Sequence, residues 1–406
     1  MTRMKISALT SKFIVLVVVL AVAALGWPQV TKAQSDLDVA VTGVDIDFGN
    51  AITFQARLKS SVPLTETNIL IRDNFEDITR VNSIPVDEDG LAVFRFEDVR
   101  VALRPFSMLT FWYEAITPAG ATLRSENFFV RYLDNRYPWQ TADGDLVMVH
   151  WYAGDEAFGQ ALLNTARQGL TRINELIPRQ SAEPLDVYVY ANQEDLGGAL
   201  FLSGEEWVSG HADPRLGVAL VAVVPGPGQS IEMETLIPHE LAHIILYEQS
   251  GDGYDNLPAW LREGLASLAE LYPDPDYVGA LQEASGNDTL IAVEELCDGF
   301  PLDASNAYLA YAESHSFVRF LRDSYGTSGL LSLISAYSDG LDCEQGPVRA
   351  LGSSLGALDT RWRESVLGQS AAGLFARGML PYLLLLGVFI LMPFLGMLQR
   401  RLRNDE

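Results

Sequence analysis

Residues 36–132 alternate between apolar and polar positions with a period of two, and turn residues interrupt the pattern at short intervals. Such alternation is typical of half-buried β-strands. It is clearest at 39–41, 51–56, 68–71, 91–96 and 109–114, and a turn signal at 117–120 precedes a returning strand at 127–130. Six or seven short strands over about a hundred residues predict an all-β immunoglobulin-like or fibronectin-like sandwich at 36–134.

The pattern changes after a polar, proline-containing stretch at 134–139, which indicates a domain boundary. Strands are predicted at 146–151, 185–190 and 216–224, and apolar residues recur at helical spacing along 158–177. The segment 231–248 is rich in helix-forming residues, with Pro238 inside it. The mixture of strands and helices predicts an α+β domain over residues 135–375.

Both ends of the chain carry apolar segments that resemble targeting sequences. Three cationic residues precede an apolar run at 13–25, and Thr31-Lys32-Ala33 offers a small residue for cleavage. This layout predicts a secretory signal peptide at 1–33, with an uncleaved anchor as the alternative.

The second apolar segment, 378–398, is uncharged and long enough for one transmembrane helix, with a buried helix of the soluble domain as the alternative. Three arginines follow within residues 399–406, and cationic flanks favour the cytoplasmic side. The two segments together predict a single-pass protein of the cell membrane whose ectodomain faces outside.

The net charge bears on the possible partners of the protein, and the cysteine content bears on disulfide formation. The net charge of −25 is spread along the ectodomain, and no basic stripe is present that could bind phosphates, so we predict no nucleic-acid partner. Cys297 and Cys343 lie in the predicted exported part, where an oxidising environment favours a disulfide between them. Two separate buried thiols are the alternative.

The sequence Ile237-Pro238-His239-Glu240-Leu241-Ala242-His243 contains the pattern H-E-x-x-H. On a helix, residues i and i+4 share a face, so His239 and His243 can present two imidazole nitrogens to one metal ion. Zinc suits these donors, and Glu240 lies where a carboxylate can accept a proton from water. Two ordinary helical histidines are the alternative interpretation.

A second helix is predicted about twenty residues after this motif, at Leu257-Pro258-Ala259-Trp260-Leu261-Arg262-Glu263-Gly264-Leu265-Ala266. A helix–loop–helix return could bring Glu263 to the same metal, although an ordinary solvated glutamate is the alternative. The two-part motif resembles the glutamate zincins (gluzincins), specifically the peptidase MA-like group. The resemblance extends over about 137–336.

This resemblance implies a zincin-like fold in which Zn²⁺ is held by His239, His243 and Glu263, with Glu240 as the general base. It also implies a peptide or protein substrate. In related zincins a tyrosine or histidine from a later helix often stabilises the oxyanion, and Tyr311 is the first candidate here, before Tyr308 and His315. The strand at 216–224 resembles the edge strand on which zincins bind extended peptides, although a plain structural strand fits equally well.

The chain also departs from related families. It lacks the G-x-M-E-N run of related aminopeptidases, which makes an aminopeptidase less favoured, and it lacks the H-x-x-G-x-x-H extension of metzincins. The sequence therefore predicts a membrane-anchored extracytoplasmic zinc metallopeptidase. The alternatives are a non-proteolytic zinc-containing surface module whose β-sandwich binds a partner, and a hydrolase of other amides or esters.

Overall fold

The computed structural model describes residues 37–201 and 209–368. The predicted signal peptide, transmembrane helix and tail (1–33, 378–398 and 399–406) lie outside this part of the chain. Among the helices that it does describe, none is both long enough and apolar enough to cross a bilayer. The chain divides into two compact units, Met1–Asp134 and Asn135–Glu406.

The first unit consists of two antiparallel sheets. Its strands are β1 (Leu37–Asp47), β2 (Ala51–Ser60), β3 (Glu66–Asp73), β4 (Thr79–Ser83), β5 (Leu91–Phe96), β6 (Met108–Ile116), β7 (Thr122–Arg124) and β8 (Phe128–Arg131), with a short helix α1 (Val99–Ala102). One sheet has the order β1-β2-β5 and the other β4-β3-β6-β7, with β8 also pairing with β6. All six predicted strand segments overlap these strands, and five of them lie entirely within one.

Aromatic side chains join the two sheets. Phe54 of β2 and Phe111 of β6 lie with their ring centroids 4.9 Å apart, and both side chains are buried. In constant-type immunoglobulin domains the fourth strand belongs to the sheet of the first two strands, whereas here β4 pairs with β3. This unit is therefore an all-β pair of sheets whose strand order differs from that of the constant-type immunoglobulin domain.

The second unit contains one mixed five-stranded sheet. Its strands are β9 (Gln140–Asp143), β10 (Val147–Trp151), β11 (Leu185–Tyr190), β12 (Gly210–Asp213) and β13 (Val218–Ala222), in the order β12-β13-β11-β10-β9. Strands β10, β11 and β13 are parallel, and the two outer strands pair antiparallel to their neighbours.

Of the two interpretations of residues 216–224, the edge strand is wrong and the plain structural strand is confirmed. This segment forms β13, an interior strand, and the edge is the four-residue strand β12. Every residue of β13 is buried, as expected for a strand covered on both faces. The continuous apolar run was therefore the signature of an interior strand, whereas β12 is too short and polar to be recognised from its sequence.

Helices form most of the remaining described residues of this unit. They are α2 (Glu156–Leu176), α3 (Gln193–Leu200), α4 (Gln229–Ser250), α5 (Ala259–Ala269), α6 (Tyr277–Asn287), α7 (Ala304–Ser338), α8 (Gln345–Leu351) and α9 (Leu355–Ser365). The predicted helices at 158–177 and 231–248 correspond to α2 and α4. Gly169 of α2 packs against the ring of Pro238, so the absence of a side chain there makes room for the proline inside α4.

Helices α5 and α7 approach each other closely at Gly264. A Cβ atom at this position would lie 2.5 Å from the Ser314 carbonyl oxygen, so a glycine is required for this approach. Next to this contact, the Trp260 and Phe317 rings pack edge to face at 5.1 Å. This packing fixes the start of α5 against α7.

The predicted disulfide between Cys297 and Cys343 is confirmed, with a Cα–Cα distance of 6.1 Å. The Cys297 carbonyl oxygen also accepts a hydrogen bond from the Ala259 N–H at 2.9 Å. The crosslinked segment therefore supports the first turn of α5.

Glu313 of α7 is a fully buried carboxyl group in this core. One of its oxygens accepts a hydrogen bond from the Ile291 N–H at 3.0 Å. Burial raises the pKa of Glu313 to about 8, against the lowering effects of Ile291 and Arg363 and with smaller raising effects from Asp359 and Glu295. Glu313 is therefore neutral in the folded protein at pH values where an exposed glutamate is ionised.

We expect Glu313→Gln to remove a pH-dependent loss of stability. The ordinary pKa is 4.5 and the folded value is about 8. Between these pH values the native state binds one proton more than the unfolded state, so each unit of rising pH lowers the free energy of unfolding by roughly 1.4 kcal/mol. Glutamine keeps the acceptor for Ile291 but cannot ionise. Urea unfolding at pH 5, 7 and 9 should give a flatter profile for the variant, whereas Glu283→Gln, at an exposed site, should follow the unaltered protein. Parallel profiles for Glu313→Gln and the unaltered protein would contradict this assignment.

Candidate metal centre

Helix α4 places His239 and His243 one turn apart on the same face. Their rings lie 5.1 Å apart between centroids, and both side chains are largely buried, with 15% and 11% exposed. Glu240 lies beside them and is 7% exposed. The predicted motif residues are therefore gathered on a continuous helix that runs through Pro238.

Helix α5 brings Glu263 to these histidines. Its Oε2 lies 3.5 Å from His239 Nε2 and 3.6 Å from His243 Nε2. In a tetrahedral zinc site with bonds of 2.0–2.1 Å, neighbouring ligand atoms are about 3.3 Å apart. The ligand atoms of the three residues all lie within 4.8 Å of one another, so the donor set fits a single zinc ion.

The other ring nitrogen of each histidine has its own partner. His239 Nδ1 lies 2.9 Å from Glu270 Oε1, and His243 Nδ1 lies 3.2 Å from the Tyr254 hydroxyl. Such contacts fix the tautomer and orientation of ligating histidines, so that both Nε2 atoms face Glu263.

Sequence reasoning missed Glu270 and Tyr254. Glu270 follows Glu263 by seven residues but lies directly after the end of α5 in a non-helical conformation, so helical spacing alone does not identify it. Tyr254 lies in the 3₁₀ segment Gly251–Asn256 between the two helices, and no pattern in the sequence singles it out.

The charges of these groups stabilise one another. Burial alone would raise the pKa of Glu263, but His243 and His239 together lower it well below its ordinary value. Burial alone would lower the pKa of His239, but hydrogen bonds to Glu263 and Glu270 raise it. The buried Glu263 carboxylate is therefore held in its ionised form beside the two histidines.

The Glu240 carboxylate faces the edge strand β12. A Cβ atom at Gly210 would collide with this carboxylate, so a larger residue there would require the Glu240 side chain to move. The general-base candidate therefore lies between the metal-ligand group and the outer edge of the sheet.

Tyr311 of α7 also reaches the site. Its ring centroid lies 6.4 Å from that of His239, and burial, together with the charges of Glu263 and Glu240, raises its pKa. The other two candidates lie elsewhere, because the rings of Tyr308 and His315 pack against Tyr277 at 5.3 and 5.7 Å. Of the three predicted candidates, the structure brings Tyr311 to the histidines and the glutamates.

The centre consists of two histidines and a glutamate supplied by two helices, with a further carboxylate beside them. This set of groups defines a metallohydrolase-like centre. A family model described as the peptidase MA superfamily matches residues 165–368, half of the 406-residue chain. The chain belongs to the peptidase MA superfamily. The gluzincin resemblance drawn from the two-part motif is thereby confirmed.

Known proteins and solved structures offer more distant comparisons. None of the curated proteins matches this sequence. An M1 zinc metallopeptidase variant from Deinococcus radiodurans is 12% identical over 82% of this chain and 94% of that one, with a TM-score of 0.35. A β-1,3-glucan-binding domain of carbohydrate-binding module family 56 is 15% identical over 23% of this chain and 99% of that one, with a TM-score of 0.17.

A cycloalternan-degrading enzyme from Trueperella pyogenes, in complex with isomaltose, is 18% identical over 27% of this chain, with a TM-score of 0.17. This chain spans 13% of the length of that enzyme. The scores of all three structures are too low to support an inference about fold or function.

Proposed function

We propose that the protein is a zinc metallopeptidase that hydrolyses peptide bonds with Glu240 as the general base. The observation that carries the proposal is the convergence of His239, His243 and Glu263 next to the buried Glu240 carboxylate. These three residues would hold the ion, and Glu270 and Tyr254 would keep the two imidazoles in place. When bound, zinc lowers the pKa of water and polarises the carbonyl group of the substrate.

Glu240 performs the proton transfers in this proposal. Its carboxylate accepts a proton from the attacking water and later gives the proton to the amine that leaves. Its carboxylate lies next to Gly210 of β12, so it adjoins both the histidines on its own helix and the edge of the sheet. Among the described strands β12 is the outermost one on this side of the sheet and adjoins this carboxylate, and an extended peptide can add to such an edge by main-chain hydrogen bonds.

Tyr311 is proposed to donate a hydrogen bond to the oxyanion that forms on the substrate carbonyl. Because its pKa is raised, its hydroxyl keeps the proton throughout the neutral pH range. We expect Tyr311→Phe to lower kcat by about 100-fold with little change in KM. Steady-state kinetics should show no comparable loss for Tyr308→Phe, and equal losses in both variants would contradict the assignment.

We further propose that the catalytic ectodomain lies outside the cell membrane, held by one helix at residues 378–398. The apolar segments at both ends of the sequence support this location. The Cys297–Cys343 disulfide supports it as well, because such bonds persist in oxidising compartments. Protease accessibility on intact cells tests the location, since the ectodomain should be digested and a tag on residues 399–406 protected. Protection of the ectodomain would contradict it.

Removal and return of the metal tests the proposed function. The full chain should cleave an unfolded protein substrate, lose this activity on treatment with a zinc chelator, and regain it when stoichiometric zinc is added. Undiminished cleavage after complete removal of the metal would contradict the proposal, and so would zinc-loaded protein that cleaves no peptide bond.

A further inference from the structure

A groove of about 420 Å³ lies along β9, at the side of the five-stranded sheet opposite to β12 and the metal centre. The mechanism above does not use it. Its volume lies within the range of ligand pockets. The lining residues are Gln140, Thr141, Ala142, Asp143, Trp151, Glu156, Gln160, Leu163 and Arg167. Strand β9 and helix α2 therefore supply most of its walls.

The strand wall of this groove is the backbone edge of β9. Successive side chains of a strand point to opposite faces, and yet every residue of β9 lines the groove, so the groove follows the edge of the strand. The Gly144 N–H donates to the Val147 carbonyl oxygen at 2.9 Å and thus points towards β10. In an antiparallel ladder these directions alternate, so the backbone groups of Thr141 and Asp143 point away from β10. Among the described strands, β9 pairs with β10 alone, which leaves these groups free for an added strand.

The helix wall is one straight stripe of α2. Glu156, Gln160, Leu163 and Arg167 follow one another at intervals of three or four residues, which places them on a single face. At a rise of about 1.5 Å per residue the stripe is about 16 Å long. An extended peptide of about five residues has the same length.

The helix and the strand run alongside each other in the same direction. Trp151 pairs with Gln140 at the start of β9, and its ring packs against Gly159 near the start of α2. Just after the end of β9, a Cβ atom at Gly144 would lie 3.1 Å from Arg167 Nε. An extended chain can therefore lie between the strand and the helix along their whole common length.

The two ends of the groove carry opposite charges. The side chains of Glu156 and Arg167 are exposed, and within the described residues neither has an ion-pair partner. A third charged residue, Asp143, accepts a hydrogen bond from the Asp145 N–H at 3.0 Å. Strand alternation places the Asp143 carboxylate on the face opposite to the buried Ala142, away from α2. The groove thus has an acidic end at Glu156 and a cationic end at Arg167.

We propose that this groove is a second binding site for the polypeptide substrate, at which a distal segment of the substrate adds to β9 as an extra strand. The segment carries an acidic residue facing Arg167 and a basic residue facing Glu156, about four or five positions apart. Main-chain hydrogen bonds hold the segment, and the two charges set its register. The inference rests on the proposed peptidase function and adds a class of substrate to it.

The position of the groove makes its effect depend on the length of the substrate. Four strand spacings separate β12 from β9, or about 19 Å, and about six extended residues cover that distance in a straight line. The two helices beneath these strands belong to one unit, since Gly169 of α2 packs against Pro238 of α4. A long chain can therefore reach both edges of the sheet, and binding at the second site raises its effective concentration at the first.

Fluorogenic peptides that share one cleavable core test this inference. The core stands alone or carries a linker of about fifteen Gly and Ser residues followed by a strand-forming tail of about five residues. The tail ends in Glu and Lys, in either order, or in Gln at both ends. With the unaltered zinc-loaded full chain, the charged tail should lower KM by about fivefold or more relative to the Gln tail, with kcat unchanged.

Two alterations should remove this advantage. Arg167→Glu should abolish it and instead favour a tail with Lys at both ends. Methylation of the backbone nitrogens of the tail should abolish it as well, because a methylated chain cannot pair with a strand edge. Arg172→Glu is the matched control, because Arg172 lies on α2 outside the groove and pairs with Glu175. All three proteins should cleave the core without a tail equally well.

The outcomes separate the second site from the peptidase function. Cleavage of all tailed peptides with the same KM would overturn the second site and leave the function intact. A loss of the advantage that is equally large in Arg172→Glu would also overturn the site, because it would show a general effect of charge. If the unaltered zinc-loaded protein cleaves no peptide core, the peptidase function falls, and the inference falls with it.

Discussion

Replacing Glu240 with glutamine is expected to lower kcat for peptide hydrolysis by about 100- to 10,000-fold, the range typical of a positioned general base. Glutamine has nearly the same shape but cannot accept a proton. The residues that would hold the metal are unchanged in this variant, so bound zinc should remain at the level of the unaltered protein. Turnover of a fluorogenic peptide and zinc content, measured on the same preparation, provide the check.

Glu283→Gln is the control for this variant, because Glu283 is exposed on α6 away from the site. It should keep both zinc and turnover. If Glu240→Gln retained full turnover, Glu240 would not be the base. If it lost zinc as well, the loss of activity would report on the metal site and not on proton transfer.

Replacing Glu263 with alanine is expected to weaken zinc binding by more than about 100-fold. Mutation of residues that only hydrogen-bond to metal ligands already lowers metal affinity by about 10- to 100-fold, and loss of a ligand itself should cost more. The variant also removes the carboxylate that lies 3.5 Å from His239 Nε2 and 3.6 Å from His243 Nε2. The donor set would then keep two neutral imidazoles and lose its carboxylate ligand. Competition with a chelating dye measures the affinity, and turnover should be lost in parallel.

A graded comparison separates a direct ligand from a positioning residue. Glu270→Gln keeps the shape behind His239 but removes the charge that faces its Nδ1 atom, and we expect a smaller loss, about 10- to 100-fold. Zinc affinity of Glu263→Ala equal to that of the unaltered protein would exclude Glu263 as a ligand.

Much of the secondary structure could be predicted because its signals are local. Alternation with period two marks β2, and apolar spacing marks α2, since each pattern reflects which face of the element is buried. The position of β13 within its sheet could not be predicted from local sequence patterns. Sheet order depends on which strands pair, and the short strand β12 that covers the edge carries almost no apolar signal.

The metal-ligand set could be predicted to the extent that spacing along one helix implies a shared face. His239 and His243 follow from the i, i+4 relation alone. Glu263 was identified through a family resemblance, because its approach depends on the close packing of α5 against α7 at Gly264. Tyr254 lies in a connecting segment and meets His243 through tertiary geometry, so its role could not be read from spacing.

The most direct test of the central claim uses a mixed pool of unfolded proteins, incubated with the zinc-loaded full chain or with Glu240→Gln. Mass spectrometry of new chain termini, together with zinc content, gives the result. We expect both proteins to hold one zinc ion and only the unaltered protein to generate new termini, whose positions would separate internal cutting from end trimming. If both proteins hold zinc and give the same set of termini, the assignment of a zinc metallopeptidase with Glu240 as its base is contradicted.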